Sequence, residues 1–191
     1  MSVMITHDEH LNGLVMDVDA LVDEFDDEYE LTRQIAGRLR DRLAAGMRLP
    51  ESVTRASEEK YVMYPLYVDP SGRFSIASAV WNIGQGTPVH GHETWGVVGI
   101  YSGIEHELSF EKPEQAGVPI AQVSDTNWKT GEVTVCCTTD DDVHQVFCGS
   151  EIPCIGIHVY GADIGTLRRR SYDVDTGEVS WFVSHWTQPA S

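Results

Sequence analysis

Two histidines one residue apart, His90 and His92, lie in the run W-N-I-G-Q-G-T-P-V-H-G-H-E-T-W from Trp81 to Trp95. A third, His144, follows in D-D-D-V-H-Q-V-F. Alternate residues of an extended chain point to the same side, so His90 and His92 are expected side by side on a strand. His144, in another strand-like segment, can complete a facial set of imidazoles around one metal ion. Imidazole suits iron, copper, nickel and zinc alike. Three ligands on one face leave coordination positions open. Neutral ligands also leave the full charge of a divalent ion in place, which favours an anion such as a thiolate and lowers the pKa of the thiol that supplies it.

Other candidate ligands have weaker support. His7, His10, His106 and His185 have no comparable context, and His106 reads as structural or exposed. Cys136, Cys137, Cys148 and Cys154 contain no C-x-x-C pair. They read as buried thiols rather than a zinc site or disulfides.

Around these residues the chain changes texture once. Leu14, Val15, Val18, Leu21, Val22 and Phe25, then Ile35, Leu39 and Leu43, recur at helical spacing, and Gly46 is a stop signal. The acidic cluster from Asp23 to Glu30 reads as a solvated helix face and loop. From residue 58 onward, short β-rich runs alternate with turn residues. They begin at Tyr61, Arg73, Trp95, Ile104, Gly131, Val143, Cys154 and Val179, and no helix-sized segment interrupts them. This pattern predicts a sandwich or barrel and excludes βαβ units. The stretch from Lys112 to Pro119 reads as a loop or hairpin tip. We expect a single domain, 1–191, with a helical N-terminal segment (1–57) and a β-barrel (58–191).

The formal net charge is −17, which would repel phosphate backbones and anionic lipids. No nucleic-acid or membrane partner is expected. No stretch approaches the ~18 apolar residues of a membrane span. Without a basic and apolar leader at the N-terminus, a cytoplasmic location is the expectation.

Gly84, His90 and His92, with Gly103 after the next hydrophobic run, resemble the first cupin motif. That motif usually adds a glutamate ligand four or five residues past its second histidine. Gly96 and Val97 stand there instead, and Glu93 would face away on a regular strand. The resemblance therefore favours three histidines, with His144 matching the second cupin motif. It implies a mainly β fold, a cupin double-stranded β-helix (jelly-roll) barrel with N-terminal α-helices.

The likeness narrows further. The Trp81–Gly99 region, D-V-H-Q-V around His144, I-H-V-Y-G-A-D-I-G from Ile157, and Arg168, Arg169 and Arg170 together resemble the thiol dioxygenases of the cysteine dioxygenase type I superfamily. The closer likeness is to the bacterial 3-mercaptopropionate dioxygenases. The resemblance implies Fe(2+) held by His90, His92 and His144. It also implies a substrate that is a small thiol carboxylate, 3-mercaptopropionate-like or cysteine, oxidised by O2 to the sulfinate. Arg169 is the best match for the carboxylate-binding arginine, with Arg168 the alternative. Tyr64 stands near the place where the mammalian-type enzymes carry their own arginine. His158 and Tyr160 match a relay in which the histidine steadies the tyrosine hydroxyl. The relay serine is replaced by Gly156, which leaves His158 needing another partner, water or Cys154. Asp163 stands where asparagine is usual. Trp81 and Trp95 would exclude water. The family leans toward a monomer or small homo-oligomer. The alternatives are another metal-dependent cupin enzyme and a non-enzymatic cupin that binds a small acid.

Overall fold

The computed structural model describes residues 8–113, 115, 117–137 and 143–189; His7 and the side chain of Cys137 lie outside them. Two helices come first, α1 (Glu9–Glu24) and α2 (Glu28–Ala44). Each starts where an aspartate can satisfy an end N–H: Asp8 accepts from Leu11 and Asp27 from Glu30. The second cap falls inside the acidic cluster. Leu11, Leu14, Val18 and Leu21 form the buried stripe of α1; Leu31, Ile35, Ala36 and Leu39 form that of α2. Gly46, with φ at 89°, ends the helical segment. No helix among the described residues is long and apolar enough to cross a membrane.

Among the described residues ten strands follow: β1 (Val62–Val68), β2 (Ser75–Trp81), β3 (Gly96–Ser102), β4 (Ile104–Phe110), β5 (Gln122–Lys129), β6 (Val133–Cys137), β7 (His144–Cys148), β8 (Cys154–Tyr160), β9 (Arg169–Tyr172) and β10 (Val179–Phe182). One sheet has the order β1-β2-β8-β3-β6. The other layer consists of β5-β4-β7 and the pair β10-β9. Single bridges from Gly86 to Phe147 and from His90 to both His144 and Ser171 join them. The two layers face each other across a cavity lined from both. This is the mainly β, double-stranded β-helix barrel with N-terminal helices that the sequence predicts. The strand β5 was not foreseen.

Both faces of the five-stranded sheet are covered, so β2 and β8 are buried along their whole length. Alternation divides their side chains. Ile76, Val80, Ile155, Ile157 and Val159 join the helices in one apolar cluster. Ala77, Ala79, Trp81, Cys154 and Tyr160 form a second cluster inside the barrel. The helices approach closely at Gly99 on β3, where a Cβ would stand 2.8 Å from Leu39 and 2.9 Å from Leu43. Inside, the register sets Ala77 against His158 and Ala79 against Gly156. Small residues beside large polar ones leave room for imidazole and phenol groups.

Candidate metal centre

His90, His92 and His144 converge. Their ring centroids form a triangle with sides of 4.8 Å, and one ligand nitrogen from each lies within 4.8 Å of the others. All three are buried. His144 comes from the start of β7. His90 and His92, however, do not lie on a regular strand as expected. They belong to the irregular connection between β2 and β3, where His90 is fixed by reciprocal backbone hydrogen bonds with His144 of 2.8 and 3.0 Å. A bridge on each side replaces a long ladder and still aims both rings inward.

The surroundings prepare these rings as ligands. His90 Nδ1 donates to the Pro88 carbonyl at 2.9 Å, which turns its Nε2 to the cluster. His144 Nδ1 donates to Glu107 Oε1 at 2.5 Å, leaving a buried Nε2 without a hydrogen-bond partner. Outer carboxylates and carbonyls that fix a histidine's tautomer are the usual companions of metal ligands. Glu107 is itself held by the Trp128 indole N–H, 2.7 Å from Oε2. Burial pushes the Glu107 pKa up, but its hydrogen bond to His144, the charge there and the Trp128 bond outweigh this, and the net shift is downward. Burial, then the neighbouring His144, holds His90 and His92 well below the ordinary histidine pKa. Both stay neutral at physiological pH, as metal binding requires. The set fits a metal ion on its own geometry: three convergent buried imidazole nitrogens, of which His144 Nε2 has no hydrogen-bond partner.

Glu93 is not a ligand. Its backbone adopts a φ of 58°, and its carboxylate pairs with Arg170 at 2.5 and 2.8 Å on the outer side. His106 is partly exposed and hydrogen-bonds Asp125 at 2.8 Å. Cys154 is buried, and burial, then Glu105, pushes its thiol up. Cys148 is partly buried, and Cys136 is only half-buried rather than buried as expected.

The cavity beside the histidines is lined also by Tyr61, Met63, Trp81, His158, Tyr160, Arg169 and Ser184. Strand alternation separates the neighbouring arginines. Arg169 is 2% exposed, stacks 4.7 Å above the Phe182 ring and donates to Ser184 Oγ at 2.6 Å. Ser184 in turn meets the Tyr61 hydroxyl at 2.7 Å. Arg168 lies over Trp181, which is itself exposed, and does not line the cavity. Arg169 Nε is buried without a hydrogen-bond partner, and among the described residues no carboxylate forms an ion pair with this guanidinium.

His158 and Tyr160 share the inner face of β8, with Nδ1 2.8 Å from the phenol oxygen. Trp81 stands against the His158 ring at 5.5 Å. Trp95 lies in the helix-side core and does not line the cavity. Tyr64 also faces the helices, its hydroxyl donating to the Arg55 carbonyl at 2.9 Å. The inward-facing residue of that strand segment is Met63, because Tyr64 falls on the opposite side of the pleat. The protein group that faces His158 Nε2 is the Glu105 carboxylate, at 3.7 Å, rather than Cys154. Asp163 accepts from the Trp186 indole at 2.9 Å and fastens the C-terminal segment.

Sequence reasoning missed Glu105, Glu107, Tyr61 and Ser184. The signal available for the first two was E-H-E in β4, which sets both glutamates on one face. An acidic face on a strand ordinarily reads as solvent-exposed; here it is the inner one.

No family model matches the chain. Solved structures resemble it distantly. A double-stranded β-helix protein from Klebsiella pneumoniae is 13% identical, with a TM-score of 0.45 over 72% of this chain and 97% of that one. A cupin superfamily protein from Desulfitobacterium hafniense is 12% identical, with a TM-score of 0.45 over 60% and 90%. An oxalate oxidase bound to the substrate analogue glycolate is 12% identical, with a TM-score of 0.45 over 60% and 59%. Likeness this remote says nothing of the reaction, which has to be read from the cavity itself.

Proposed function

We propose that the protein is a non-haem iron thiol dioxygenase that converts a small thiol carboxylate and O2 to the sulfinate. One observation carries this reading: a buried guanidinium, Arg169, without a carboxylate partner among the described residues, shares a cavity with three convergent buried imidazoles. A buried cation of this kind calls for an anion. A substrate carboxylate supplies it with charge-assisted, directional hydrogen bonds.

His90, His92 and His144 would hold Fe(2+), which when bound supplies a Lewis-acidic, redox-active centre able to take a thiolate together with dioxygen. Arg169, braced by Ser184 and stacked on Phe182, fixes the far end of the substrate. That contact sets the distance between carboxylate and sulfur that the cavity accepts. Tyr160, tethered to His158, brings a hydroxyl to the wall beside the His92 ring, 5.3 Å away between centroids. Met63, Trp81 and Val146 line the remainder with apolar surface, which strengthens polar interactions by keeping water away.

The test is to load the anaerobic protein with Fe(II) and measure oxygen uptake and sulfinate with 3-mercaptopropionate, cysteine, cysteamine and mercaptosuccinate. The reading expects turnover with thiol carboxylates and none with cysteamine, which lacks the carboxylate. Undiminished turnover of cysteamine would refute the role of Arg169, and full activity in His144→Ala would refute the ligand set. The same neutral donors also accept zinc or nickel. Tight metal binding without thiol-dependent oxygen uptake would point to another metal-dependent reaction of this fold.

A further inference from the structure

Glu105 is a buried acid with no role in the reading above. It is 2% exposed and lies on the inner face of β4, two residues before Glu107. Glu107 is occupied by His144 and Trp128, but Glu105 Oε2 has no hydrogen-bond partner. The atom it faces, His158 Nε2, is also buried and without one. The two are 3.7 Å apart, within ion-pair reach and just beyond a hydrogen bond. Contacts of this kind are often long in ligand-free sites and shorten when substrate is in place.

Gly156 belongs to the same arrangement. A Cβ there would stand 2.5 Å from His158 Nε2 and 3.1 Å from Glu105 Oε2. The absent side chain is what lets a carboxylate from β4, in the opposite layer, come within reach of a ring on β8. The other ring nitrogen, Nδ1, meets the Tyr160 hydroxyl. Carboxylate, imidazole and phenol therefore form a line from the barrel interior to the cavity.

We propose that Glu105 is a positioning residue that fixes the tautomer of His158 and, through it, the direction of the hydrogen bond to Tyr160. A carboxylate oxygen that accepts at Nε2 favours the tautomer with its proton on that nitrogen. Nδ1 is then an acceptor, and the Tyr160 O–H donates to it. With its O–H committed to His158, Tyr160 can meet the substrate only as an acceptor. With the opposite tautomer, Nδ1–H would donate to the phenol oxygen and Tyr160 would offer its O–H. The consequence for turnover rests on the dioxygenase reading; the tautomer does not.

The experiment uses the full chain, wild type, Glu105→Ala and Glu105→Gln. Nitrogen-15 NMR of the metal-free protein reports which His158 nitrogen carries the proton, and steady-state kinetics of the iron-loaded protein report turnover. The wild type is expected to carry the proton on Nε2. Glu105→Ala is expected to lose that preference and to lower kcat by about 10–100-fold, the usual effect of removing an orienting partner, with KM changed by less than about threefold. Glu105→Gln, whose amide oxygen still accepts from Nε2, is expected to keep both the tautomer and most of kcat. A wild-type proton on Nδ1 overturns the assignment outright, even if Glu105→Ala fails to fold. So does a Glu105→Ala protein with unchanged tautomer or unchanged kcat. If no thiol drives oxygen uptake in the wild type, the dioxygenase reading fails while the NMR comparison still decides what Glu105 does.

Discussion

Glu107 offers the sharpest test of the metal centre, because it touches a ligand without being one. Its Oε1 accepts from His144 Nδ1 at 2.5 Å and its Oε2 from Trp128 at 2.7 Å. Glu107→Ala strands the buried His144 N–H and the half-buried Trp128 N–H and frees the His144 ring to rotate. Each stranded donor costs about 1–3 kcal/mol, so the variant should be measurably less stable than wild type. The specific effect is on the metal. Loss of an orienting carboxylate weakens binding by about 10–100-fold, or about 1.4–2.8 kcal/mol. Glu107→Gln keeps an acceptor for Nδ1–H but cannot satisfy Trp128 from its amide nitrogen, so its loss should be smaller. The assay is anaerobic competition for Fe(II) against a chelator of known affinity, with Co(II) as an air-stable check. His144→Ala should bind more weakly than either variant. If Glu107→Ala, folded by its circular dichroism, binds metal within about threefold of wild type, then His144 is not oriented by Glu107 or is not a ligand.

Other expectations follow from the same geometry. His90 and His92 are held below the ordinary value of 6.5 chiefly by burial, so below about pH 6.5 the unfolded chain binds protons that the folded one does not. Stability of the metal-free protein should therefore fall as pH drops from 7 to 5, by up to about 1.4 kcal/mol per unit for each histidine; urea midpoints that stay level would contradict this. Arg169→Ala should raise KM for thiol carboxylates by roughly 30-fold or more, as loss of a buried charge contact worth about 2–5 kcal/mol predicts. Arg168→Ala, on the outer face, should leave steady-state kinetics unchanged. Gly99→Ala should destabilise the protein by about 1–3 kcal/mol, because the new methyl meets Leu39 and Leu43 where the helices cover the sheet; a thermal scan would measure it.

The parts of the fold that could be read in advance were those where burial leaves a periodic trace. The helical stripes and the apolar runs of β2, β3 and β8 announce themselves because one or both faces are covered. The strand β5 left no such trace. Its side chains are mostly exposed, and what makes it a strand is its pairing with β4 from Ile104 to Phe110, a partner that residues 122–129 do not encode locally. His90 and His92 are expected on a strand for the opposite reason: their alternation is that of a strand, but isolated bridges to β7 and β9, not a continuous ladder, hold the segment.

The sequence by itself determined which residues could bind a metal: an H-x-H pair and a later histidine, with no glutamate at the usual fourth position. The family resemblance narrowed the carboxylate-binding arginine to Arg169, with Arg168 the alternative, and alternation along an extended chain lets only one of two neighbours face the cavity. Only the tertiary structure decided between them, turning Arg169 inward and leaving Arg168 on Trp181. It alone revealed that the two glutamates of β4 face the interior, one behind His144 and the other behind His158. A strand's sequence states which residues share a face, but which face is inner depends on what the opposite sheet brings to it. Here the opposite sheet brings a glycine at 156, and the space it leaves is what admits Glu105.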